Sequence, residues 1–152
     1  MLRRLMIVAV VGSALTLSCG AFAQQGQFGT AAEAKALLER AIPLVKADKA
    51  AAFAKFLSGA DGFKDRDLYV FCFNSADGHI NAAQPAQMGK DVRTLVDARG
   101  DHFGERVFNA AKEGTITEVS YSFNRPGSDT PVEKVSFVTK VADQTCGVGY
   151  YK

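Results

Sequence analysis

The chain has 152 residues, 47% of them hydrophobic and 22% charged, with a formal net charge of +2. Arg3 and Arg4 supply that excess, so the remainder of the chain is neutral and offers no basic field for nucleic acid or an anionic membrane surface. Without its N-terminal segment the chain keeps about 129 residues, enough for one domain around one core.

Those two arginines precede an apolar run over residues 5–17, and Ala21-Phe22-Ala23 then stands before Gln24. A positive start, a short apolar middle and a small-x-small ending predict a secretory signal peptide over residues 1–23. The run is shorter than the about 20 residues a membrane helix needs. No later stretch is as apolar, so the cleaved chain is expected to have no membrane span and to be periplasmic or secreted. Cys19 offers a rival lipidation site, but Thr16 stands where such sites usually carry Leu.

Residues 24–29 are polar and Gly-containing and are expected to form a disordered tether; a single domain is expected over residues 30–152. Thr30 and Glu33 have the spacing of a capping box. The helix they open carries Leu37, Leu38, Ala41, Ile42 and Val45 at helical spacing, with Pro43 predicting a kink. Asp48 begins a second helix, through Phe53 and Phe56, that Gly59 ends.

The period then changes. Leu68-Tyr69-Val70-Phe71-Cys72-Phe73 is β-prone and apolar on both faces, which predicts a strand covered on both sides. Tyr69 and Phe71 share one face, and Leu68, Val70 and Cys72 the other. Asn74 to Gly78 is turn chemistry, and residues 79–82 read as the returning arm. An irregular stretch leads to a short helix near residues 103–112. Three further strands are expected at residues 115–123, 135–141 and 145–151, with a long loop at residues 124–131. Helices and strands in separate runs predict an α+β fold with an antiparallel sheet.

Two cysteines follow the leader, Cys72 and Cys146. In an oxidising compartment an even pair favours a disulfide, which would close about 75 residues and stabilise by roughly 2–4 kcal/mol. Two buried thiols remain the alternative. His79 and His102 lack a second ligand at metal spacing, and HExxH, CxxC and G-x-S-x-G are absent. Cys72 and His79 fall on different strands and do not read as a nucleophile pair. The sequence therefore predicts neither an enzyme nor a metal or other cofactor. Gly147-Val148-Gly149 lies in a strand with no helix after it, so it reads as a place of close approach to the sheet rather than a nucleotide loop.

Residues 67–73, Asp77-Gly78, Met88-Gly89-Lys90-Asp91-Val92 and residues 97–103 together resemble the first part of a single Cache domain. The likeness resumes at residues 121–123, 131–137 and 147–150. Cache domains are extracytoplasmic PAS-like sensors of small metabolites. The resemblance implies a long N-terminal helix packed on a five-stranded antiparallel sheet. It also makes the first and last strands neighbours, where Cys72 could reach Cys146. Family members often carry Tyr at the position of Phe137 and an aromatic at that of Cys146.

The resemblance implies a periplasmic module that binds a small molecule such as a short carboxylate and signals to a membrane sensor or chemoreceptor. Lys134 matches the family's lysine in its motif and would pair with a ligand carboxylate. Tyr69, Phe71, Tyr121, Phe137 and Tyr150 are the aromatic candidates for the ligand pocket, with His79 a polar group from the hairpin arm. Most such rings in any domain are core. The alternative is a structural or interaction protein with a Cache-like fold and a filled pocket.

Overall fold

The computed structural model describes residues 26–152. The predicted signal peptide and the first two tether residues lie outside the described residues. Helix α1 (Ala31–Ala47) opens on the complete capping box: the Thr30 side chain accepts from the Glu33 amide, and the Glu33 carboxylate accepts from the Thr30 amide. It continues through the exposed Pro43. Asp48 then closes α1 through its amide and caps α2 (Lys49–Ser58) by accepting from Ala51 at 3.0 Å. Gly59, with φ +78°, ends α2 in a left-handed conformation that glycine adopts without strain.

The sheet contains six antiparallel strands rather than five: β1 (Lys64–Asp65), β2 (Leu68–Asn74), β3 (Ile80–Ala82), β4 (Thr117–Asn124), β5 (Pro131–Val141) and β6 (Gln144–Tyr151). The additional β1 is two residues long and turns directly into β2 through Arg66 and Asp67. Strand order is β1-β2-β6-β5-β4, with β3 also paired to β2. The first long strand and the last are thus neighbours, and the register sets Cys72 opposite Cys146. They form a disulfide with Cα atoms 4.1 Å apart.

Alternation along each strand divides the interior in two. Leu68, Val70, Cys72, Cys146 and Val148 meet Leu38 and Ala41 of α1 in one core. On the other face Phe73, Val119 and Val138 meet Ile80, Val92 and helix α3 (Phe103–Ala110), whose Phe103 and Val107 point inward. β4 is an edge strand of the sheet. Asp97 protects it: one carboxylate oxygen accepts from the Ser122 amide at 3.0 Å, while the other holds the turn amides of Arg99 and Asp101. The Ser122 amide, more than any other group, holds the Asp97 carboxyl below the usual carboxylate range.

Residues 26–29, expected as a loose tether, lie against the domain. Gly29 donates to the Asp67 carboxylate at 2.6 Å, Arg66 donates to the Phe28 carbonyl at 3.0 Å, and the Arg125 guanidinium stacks 4.3 Å above the Phe28 ring. Arg66 itself is bound to Asp65 and Glu33, both at 2.7 Å.

Candidate ligand-binding site

The face away from α1 gathers the polar tips. β2 turns Tyr69, Phe71 and Phe73 toward it, and β4 contributes Tyr121 and Phe123. Their rings, with Ile80, Val92, Leu95 and Phe103, surround a cavity of about 30 Å³. That volume holds about one water molecule. Phe103 stacks on Tyr121 with centroids 4.2 Å apart. The Tyr121 and Ser136 hydroxyls share a hydrogen bond of 2.8 Å.

Lys134, on β5 opposite Tyr121 and Tyr151, projects onto the same face. Its side chain lies over Gly149, where a Cβ would stand 2.5 Å from the Lys134 Cε, and only glycine leaves that space. Gly147 does the same for Phe71, whose Cζ would stand 2.5 Å from an added Cβ. The two β6 glycines thus let a lysine and a phenylalanine lie flat on the sheet.

Lys134 is 2% exposed, and its ammonium is surrounded by π faces: Tyr151 at 4.5 Å, Tyr69 at 5.0 Å and Phe123 at 5.4 Å. Such faces stabilise a cation. Among the described residues its hydrogen bonding is limited to a long contact with the Tyr151 hydroxyl, 3.5 Å. Burial pulls the ammonium down to about 8, against the opposing pull of the Asp67 charge. Burial also raises Tyr69 and Tyr121, and it lifts Tyr151 to about 12 with help from Asp67. The Tyr151 hydroxyl donates to the Asn124 carbonyl at 2.6 Å.

Tyr69, Phe71, Tyr121 and Lys134 therefore come together. Phe137 and Tyr150 do not: they stack on one another at 5.6 Å and pack with the α1 core on the opposite face. His79 is exposed, its backbone bridged to Asp91 at the end of the hairpin. Phe123, an aromatic of the candidate binding surface in the sequence, belongs to the corner around Lys134, and so do Asp67 and Tyr151, which the sequence does not mark as ligand-contacting. For Tyr151 the signal was available, since strand alternation puts it on the face of Gly147 and Gly149. For Asp67 it was not, because a two-residue β1 has no readable period.

The sequence matches the family model described as Single Cache domain 2 over residues 21–151. The chain belongs to the Single Cache domain 2 family. Solved structures share its Cache fold. A methyl-accepting chemotaxis protein from Vibrio parahaemolyticus RIMD 2210633 is similar at TM-score 0.62 and 20% identity, covering 79% of this chain and 86% of that one. A periplasmic sensor domain of a chemotaxis protein follows at TM-score 0.54 and 21% identity, over 77% and 86%. A Cache chemosensory domain described for carboxylic acid recognition gives TM-score 0.52 and 22% identity, over 77% and 84%. No curated protein matches. Among the described residues of this Cache domain, no helix is long and apolar enough to cross a membrane, and no cluster of His, Cys, Asp or Glu is arranged to hold a metal ion.

Proposed function

We propose that this Cache domain is a periplasmic sensor module that captures a small carboxylate-bearing metabolite at Lys134 and presents its bound state to a membrane-bound signalling partner. The observation that carries this reading is a buried ammonium surrounded by aromatic rings, with a single long hydrogen bond to a neutral phenol. Burying a charge without a full set of partners is costly, and folds retain such groups where a ligand completes them. A carboxylate would supply charge-assisted hydrogen bonds to the two N–H donors that Tyr151 leaves open. The Tyr69 and Tyr121 hydroxyls lie on the same face and suit an oxygenated ligand.

The small cavity favours a second reading, an interaction protein with a filled pocket. At about 30 Å³ it admits a metabolite only if the rings that line it move. Thermal unfolding against short organic acids and amino acids, on protein stripped of copurifying molecules, separates the two. A ligand at 100 times its dissociation constant stabilises by about 2.7 kcal/mol. At least one compound should raise the melting temperature by several degrees, and Lys134→Met should abolish that rise while the protein remains folded. No rise from any compound would support the filled-pocket reading; a rise that survives in Lys134→Met would remove Lys134 from the site.

A further inference from the structure

Lys134 has a buried counterpart of opposite sign that it does not touch. Asp67 is 5% exposed and sits in the turn between β1 and β2. One of its oxygens is committed to the Gly29 amide at 2.6 Å; the other, Oδ2, is buried and has no hydrogen-bond partner among the described residues. Tyr151 joins the two groups, its hydroxyl touching the Lys134 ammonium while its ionisation responds to the Asp67 charge. Two buried opposite charges in one corner gain most by closing on each other, and replacing that contact requires a polar bridge. Here both keep open capacity: two donors on Lys134 and one acceptor on Asp67.

Space reaches this corner from outside. A groove of about 290 Å³ is lined by Asp67, Arg66, Tyr69, Gln84, Pro85 and Pro126. Tyr69 also lines the apolar cavity, and its ring lies 5.0 Å from the Lys134 ammonium. Tyr69 is therefore the partition between the groove and the lysine.

Charge then selects the ligand class. Arg125 beside Tyr151 is partly solvated, and the two fully buried charges, Lys134 and Asp67, balance each other; a simple carboxylate would leave that buried pair with one uncompensated negative charge, and a simple amine with one positive. A molecule carrying both groups leaves it neutral and satisfies both residues. We propose that Asp67 is a second ligand-binding residue, and that the site takes a small amino acid whose carboxylate meets Lys134 and whose ammonium meets Asp67 Oδ2. The proposal rests on the sensor reading and narrows its ligand class.

Matched pairs of compounds test it at neutral pH: glycine with acetate, β-alanine with propionate, and 4-aminobutyrate with butyrate. In at least one pair the amino acid should raise the melting temperature by several degrees and its unaminated partner should not. The spacing of the responding pair would report the distance between the two charges. Asp67→Asn keeps an oxygen for the Gly29 amide and should weaken binding of that amino acid by about tenfold or more, the worth of a charge-assisted hydrogen bond. Equal or larger shifts from the unaminated acids would overturn the amino-acid assignment and leave the carboxylate sensor standing. Silence from all six, together with silence from the wider panel above, would remove the sensor reading itself. Should Asp67→Asn fail to fold, the paired comparison on the unaltered protein still decides.

Discussion

Lys134 is a residue whose ionisation the fold works against. Its ammonium belongs near 10.5 in the unfolded chain and near 8 in the folded one, with burial as the main cause. Between those values the unfolded chain holds the extra proton, so stability rises as pH rises through 8 to 10.5, and the full penalty applies below pH 8. The shift corresponds to roughly 3 kcal/mol. Denaturant midpoints of the unliganded protein should therefore increase between pH 7.5 and 9.5. Lys134→Met should unfold at higher denaturant at pH 7 and show no such increase; equal slopes in both proteins would mean that the ammonium is better solvated than its burial indicates. The upper limit keeps the measurement clear of the tyrosines.

The individual elements show where sequence was sufficient and where it was not. Thr30 and Glu33 declared the start of α1, and the alternation in β2 separated Tyr69 and Phe71 from Val70 and Cys72. That alternation could not say which face α1 covers, because the choice depends on packing between elements far apart in the chain. Phe137 and Tyr150 illustrate the gap. Their aromatic character suited a pocket, yet the register of β5 and β6 turns them toward α1. β1 is not legible in the sequence because two residues carry no periodicity. The disulfide joins the middle of β2 to β6 on the α1 side and encloses a separation of 74 residues. Cys72→Ala with Cys146→Ala should cost at least roughly 2–4 kcal/mol in chemical denaturation, since the unfolded chain regains the freedom that the cross-link removes. An unchanged midpoint would show that the bridge contributes nothing to stability. Ligand-induced shifts should persist in the double variant, because the bridge faces away from Lys134.

Across the whole molecule, the sequence spells out an α+β Cache domain, and its least legible part is its beginning. Polar, glycine-containing residues 24–29 suggest a tether, but three separate contacts hold Phe28 and Gly29 against Arg66, Asp67 and Arg125. Composition reports that a segment lacks a core of its own; it does not report that a neighbouring surface will bind it. The signal peptide predicted over residues 1–23 has a direct check. N-terminal sequencing of the exported protein should begin at Gln24 or its cyclised form, and a start at Met1 would identify a retained leader.

The bond from Gly29 to Asp67 ties the start of the described chain to the corner around Lys134. One carboxylate holds the chain just before α1 with its first oxygen and offers its second to the corner around Lys134. A pull along the chain from the N-terminal side meets the Phe28 contacts with Arg66 and Arg125 first and then Asp67, all of them outside the long strands of the sheet. In the proposed complex, the ligand ammonium and the Gly29 amide would be held by the two oxygens of the same side chain.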